Sequence, residues 1–197
     1  MIFDLPTALA FGGREWPIHT DFRDVLRTLT AFADPNLTDG EKAYVCLRNT
    51  YVHPERIPRA LVQAAFDAAV AFIDRGGGSD GPSPRTMDWE QDAPLIFPAV
   101  NRAAGFEVRA ARYVHWWTFM GFFMEIRDST YATVLSLRNK RARGKKLEKQ
   151  EQEFWDRNRR VCELRTRYTD GELEEQGRLR ALLGGGPGDA VQDVGRR

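Results

Sequence analysis

The chain has 197 residues, 42% hydrophobic and 29% charged, a balance that excludes a disordered polymer and supplies enough apolar mass for one ordinary domain. Twenty-nine basic against 28 acidic residues leave a net charge of +1, so no overall field draws the protein to nucleic acid or an acidic membrane. Cys46 and Cys162, far apart in sequence, offer neither a disulfide framework nor zinc spacing and suit a reducing compartment.

Met1–Ala10 carries Asp4 and Pro6 and has no basic start or long apolar run, so no targeting segment is expected. The most apolar stretch, Tyr113–Ile126, contains His115 and Glu125 and falls short of the roughly 20 residues of a membrane span. The expectation is a soluble protein that stays where it is made.

In chain order, apolar Ala8–Phe11, a Gly12-Gly13 turn signal and alternation over Glu15–Thr20 predict a short hairpin. Thr20 or Asp21 can cap a helix whose buried face is Phe22, Val25, Leu26, Leu29 and Phe32, ended by Asp34-Pro35-Asn36. Thr38 and Glu41 form a capping box for the next helix, with Tyr44, Val45, Cys46 and Leu47 on its core side, closed by His53-Pro54. Ile57–Ile73 predicts a third helix that buries Leu61, Val62, Ala65, Phe66, Ala69 and Phe72.

The Gly/Pro-rich segment Arg75–Pro84 reads as a mobile linker, since its four glycines and two prolines propagate neither helix nor strand. The organisation expected is therefore 1–74 as a hairpin plus helical half, 75–87 as linker, 88–183 as an aromatic and basic helical half, and 184–197 as a disordered tail. Beyond the linker, Pro94 fits the first turn of a helix beginning near Asp92, and Pro98 should kink that helix or delay its start. Arg109–Arg127 follows. A long charged stretch then reaches about Tyr168, where Leu147, Phe154, Val161 and Tyr168 recur every seven residues beside Trp155 and Leu164. Glu153–Arg157 and Asp156–Arg160 are spaced as helical ion pairs. The whole is mainly α, a bundle of about six to seven helices with a short N-terminal β-hairpin.

In Tyr113–Ile126 a helical projection gathers His115, Thr118, Gly121 and Glu125 into one narrow stripe and leaves the remainder large and apolar. Such a helix is either the central core helix or is shared with a partner. His115 lacks any H-x-x-x-H or H-E-x-x-H partner, so a satisfied, partly buried histidine is favoured over a ligand or base. The trio Asp88, Glu90 and Asp92 around Trp89 could attract a divalent cation, but caps and dipole partners at a helix start are favoured. Arg138–Arg167 holds 12 basic and 5 acidic residues, a local net of +7. Its densest part supplies Arg138, Lys140, Arg141, Arg143, Lys145 and Lys146 as a basic surface. A solvated face, or a face for an acidic protein partner, is favoured there over nucleic acid. Gly144-Lys145 is no P-loop, because Asn139 and Lys146 stand where glycine and Ser/Thr are needed. No nucleophile signature, metal set or cofactor fingerprint is present, so neither catalytic residues nor a cofactor are expected.

Asp88-Trp89-Glu90-Gln91-Asp92-Ala93, then Leu95-Ile96-Phe97, a Gly105 turn, Tyr113-Val114-His115-Trp116-Trp117-Thr118-Phe119 and a basic stretch together resemble the phage family named for its fifteenth gene product. Ile18-His19-Thr20-Asp21-Phe22-Arg23 resembles that family's I-x-T-D-F-R opening, and the likeness runs from about Trp16 to Tyr168. Val114 stands where leucine is usual, and the Gly/Pro linker and tail are longer. The resemblance implies a protein of the tail module of long-tailed phages or prophages of Gram-positive hosts. It implies a non-enzymatic chaperone that coats the tape-measure protein and recruits tail-tube subunits in the host cytoplasm, absent from the mature virion, with homo-oligomerisation open and no membrane partner. Asp88, Trp89, Glu90, Gln91, Asp92, His115, Trp116, Trp117, Phe119, Met120 and Phe123 are the partner-binding residues it suggests. The alternatives are a structural head–tail or tail component of the virion and a basic nucleic-acid-binding accessory.

Overall fold

A computed structural model describes residues 4–75 and 84–182. Strands β1 (Ala8–Phe11) and β2 (Arg14–Pro17) pair antiparallel, Ala8 opposite Pro17 and Phe11 opposite Arg14. Gly12 and Gly13 make the turn with φ of 59° and 76°, the left-handed values that a tight two-residue turn requires and glycine adopts without a Cβ clash. Trp16, buried, stacks on Phe11 at 5.2 Å and seats the hairpin on the body.

Asp21 caps α1 (Phe22–Phe32) by accepting the Arg23 N–H at 3.0 Å. The expected face turns inward, with Phe22 and Val25 buried and Leu26, Leu29 and Phe32 half-buried. The capping box of α2 (Asp39–Thr50) forms as read: Thr38 Oγ1 accepts the Glu41 N–H, and the Glu41 carboxylate accepts the Thr38 N–H at 2.8 Å. Its core side differs. Cys46 is buried, whereas Tyr44 is 64% exposed. The third helix also starts later than expected, because Pro54 and Pro58 break the approach into 3-10 turns at Pro54–Arg56 and Arg59–Leu61 before α3 (Val62–Ile73).

Helix α4 (Ala93–Ala104) has Pro94 in its first turn, continues through Pro98 and ends at Gly105, φ 79°. Only Trp116–Met124 of the aromatic stretch is helical, as α5. The charged stretch is not one helix. It divides into α6 (Thr130–Ala142), α7 (Lys149–Arg157) and α8 (Arg159–Cys162), and α9 (Asp170–Leu182) follows beyond it, giving nine α-helices among the described residues. Gly144, φ 69°, turns the chain after α6, and Asn158 interrupts it between α7 and α8. The seven-residue stripe dissolves with that break: Val161 and Tyr168 are exposed, while Trp155 and Cys162 are the buried pair. Glu153 and Arg157 face each other at 3.9 Å, but Asp156 instead accepts from Gln152 at 3.0 Å. The Gly/Pro segment and the tail expected at 184–197 lie outside the described residues, except for Arg75 and Pro84.

Residues from both sides of the Gly/Pro segment share one core. Phe22 stacks on Phe119 at 4.5 Å. The Trp116 and Trp117 indole N–H groups donate to the Ile73 and Phe72 carbonyls at the end of α3, at 2.8 and 3.0 Å. A smaller cluster of Val134, Leu137, Trp155 and Cys162 packs α7 and α8 onto α6. No helix among the described residues is long and apolar enough to cross a membrane.

Candidate functional site

Two polar knots account for most of the motif residues. The first joins Ile18–Arg23 to the segment before α5. The Phe22 N–H donates to Val114 O at 3.0 Å, and the Trp116 N–H donates to Thr20 O at 2.7 Å. Thr20 Oγ1 and the Tyr113 hydroxyl meet at 2.6 Å. The Arg23 guanidinium grips Asp21 and donates to the carbonyls of Val108, Arg109 and Ala111, which fixes an irregular loop whose backbone acceptors have no ladder partner. His115 is the N-cap of α5: Nδ1 accepts the Trp117 N–H at 3.0 Å and Nε2 donates to Pro6 O at 3.0 Å. Both ring nitrogens thereby have hydrogen-bond partners, and the residue is only 3% exposed.

The second knot is built on the acidic box. Asp92 is buried and receives the Arg138 fork, Nη1 to Oδ2 at 2.7 Å and Nη2 to Oδ1 at 2.9 Å. Arg138 places its other donors on the carbonyls of Thr86, Val161 and Cys162, so all five guanidinium N–H groups are used. Asp88 accepts the backbone N–H groups of Glu90 and Gln91 at 2.9 Å and both arms of Arg167, and it also pairs with Arg85. Burial pushes the Asp88 carboxyl up, but those backbone N–H groups and Arg167 together hold it below the ordinary carboxylate value. Gln91 reads the backbone of the passing chain, donating to Glu163 O at 2.7 Å and accepting the Arg165 N–H at 2.9 Å. Arg167 also reaches Glu90 at 2.8 Å. The box and Arg138 together are therefore a clasp that binds residues 161–167 of the same chain.

These contacts correct several expectations. Asp88 caps its own turn, but Asp92 makes no cap bond to α4. Arg138 is 4% exposed and belongs to the clasp, not to a basic surface. Asp88, Asp92, His115, Trp116 and Phe119, which the resemblance suggests as partner-binding, are buried within the chain. Trp89, Gln91, Trp117, Met120 and Phe123 are half-buried, and Glu90 is exposed. The remaining basic residues divide further: Lys140 pairs with Glu151, Arg141 lies over the Trp155 ring at 4.3 Å, and Arg143, Lys145 and Lys146 are exposed. Burial pushes the Cys46 thiol up to about 11 and raises Cys162 as well, the opposite of a nucleophile's preparation.

With these motif residues turned inward, one of several open grooves among the described residues, of about 570 Å³, lies between the end of α5 and α6. Its floor is Phe123, Met124, Ile126, Tyr131 and Leu135, and its rim carries Lys140, Arg143 and Lys145. Sequence reading did not single out Met124, which is exposed, or Ile126 and Leu135, which are half-buried, because the contact that brings them together is tertiary. The buried role of Arg138 did leave a signal: Tyr131, Val134 and Arg138 fall on one face at helical spacing.

The description "Bacteriophage Gp15 protein" matches residues 2–164 of the chain. The chain belongs to the bacteriophage Gp15 protein family. The Gp15 match takes in the I-H-T-D-F-R segment, the acidic box, the His-Trp-Trp cap and all of α6 to α8, and so both knots apart from Arg165 and Arg167 of the clasped segment. No curated protein and no solved structure matches the chain.

Proposed function

We propose that this Gp15-family protein is a non-enzymatic phage tail assembly factor that chaperones the tape-measure protein in the host cytoplasm and recruits tail-tube subunits to it. Family membership supplies the phage setting. The observation that carries the chaperone reading is the open groove between α5 and α6, with an apolar floor that includes Met124, 67% exposed. A chaperone of a long helical client needs apolar, adaptable surface that is later vacated, and helix-in-groove binding with a flexible methionine provides it. A nucleic-acid accessory is less well supported, since Arg138, Lys140 and Arg141 are engaged within the protein.

Mass spectrometry of purified particles and of the matching infected lysate separates a chaperone from a virion component. The protein should be abundant in the lysate and missing from particles that contain the tape measure. Recovery from particles at a stoichiometric ratio would replace the chaperone reading with a structural one.

A further inference from the structure

We propose that the groove between α5 and α6 docks an amphipathic helix whose apolar stripe is flanked by carboxylates, an inference that rests on the assembly-factor reading. The floor supplies the apolar half of this recognition, because Phe123, Met124, Ile126 and Leu135 line it and Met124 is two-thirds exposed. The rim supplies the other half. Arg143 ends α6, the left-handed Gly144 reverses the chain, and Lys145 follows on the same edge. Neither cation has an ion-pair partner among the described residues, and no acidic side chain lines the groove. An incoming helix with glutamates beside its leucines therefore satisfies floor and rim together, whereas a lysine-flanked helix meets like charge. The crest of α6 beside the groove is Ala132 and Ser136, short enough for a second helix axis to come close.

Helix α9 of a second copy is the competing occupant. Its first half is acidic, with Asp170, Glu172, Glu174 and Glu175. Leu173 and Leu179, both exposed, lie about 120° apart around a helix of 3.6 residues per turn, so α9 offers the charge without a continuous apolar stripe. The client helix is favoured.

Three synthetic helices of about 20 residues, long enough to hold helical structure, share one leucine stripe and differ only in flanks of Glu, Gln or Lys. Binding to the full-length protein is read by fluorescence anisotropy at low and high salt. The Glu-flanked helix should bind about tenfold more tightly than the Lys-flanked one at low salt, a gap that closes as salt rises. Met124→Asp should abolish binding of all three. Arg143→Glu with Lys145→Glu should remove the Glu preference and leave the Gln-flanked helix unaffected. All three positions are exposed, and circular dichroism of each variant should match wild type. Equal binding of the Glu and Lys helices would overturn the proposal. So would a concentration-dependent dimer that Met124→Asp dissolves, which would place a second copy in the groove. If no helix binds while the tape measure still depends on this protein for solubility, the groove proposal fails and the chaperone reading stands.

Discussion

Arg138→Ala should destabilise the protein by about 3–5 kcal/mol in urea unfolding, the loss typical of removing one partner from a buried ion pair. Asp92, 1% exposed, would keep its carboxylate inside the protein with the Asp88 N–H as its remaining partner, and the Val161 and Cys162 carbonyls would lose their donor. Arg138→Lys should recover only part of the loss, since an ammonium has three donors and no planar fork. Replacing both partners, Arg138→Met with Asp92→Leu, should cost less than Arg138→Met alone, because no charge is then stranded. The neighbouring Asp88 gives the same clasp a pH dependence. Its folded pKa lies below the unfolded carboxylate value of about 3.9, so its stabilisation is complete above that value and disappears as pH falls through the folded pKa. Asp88→Asn should flatten that acid limb while lowering stability at neutral pH.

Trp116→Ala should cost about 3–5 kcal/mol, the range for a large aromatic removed from a packed core. Trp116 is 1% exposed, stacks on Phe119 with centroids 5.9 Å apart, meets Trp89 edge-on and donates its indole N–H to Ile73 O. Trp117→Ala should cost less, since that ring is half-buried and rests against Phe72 at 6.1 Å. A thermal melt of both variants tests the ordering. A Trp116→Ala protein with unchanged stability and lost client binding would return this residue to a partner surface.

Local chemistry was legible in the sequence wherever one short segment decides it. The Gly12-Gly13 turn, the Thr38–Glu41 box and the cap at Thr20 or Asp21, which Asp21 makes, each rest on a few adjacent residues with strong backbone preferences. The clasp was not legible, because Asp92 and Arg138 are 46 positions apart and Asp88 and Arg167 are 79 apart. A charge read in isolation resembles a solvated face. The seven-residue stripe misled for a related reason: Asn158 stops α7 and shifts the buried side by one residue, to Trp155 and Cys162. Of the residues that carry the family motifs, Asp92, His115 and Trp116 are buried in the fold. The groove emerges only once the end of α5 meets α6, where Phe123 and Tyr131 pack with ring centroids 5.8 Å apart.

Co-expression of the full chain with a tape-measure protein from the same phage, followed by capture and a high-salt wash, tests the central claim most directly. The expected result is a soluble tape measure retained by wild type through the wash, with both solubility and retention lost for folded Met124→Asp. A tape measure that is equally soluble with and without this protein, and that washes off wild type, would contradict the chaperone reading.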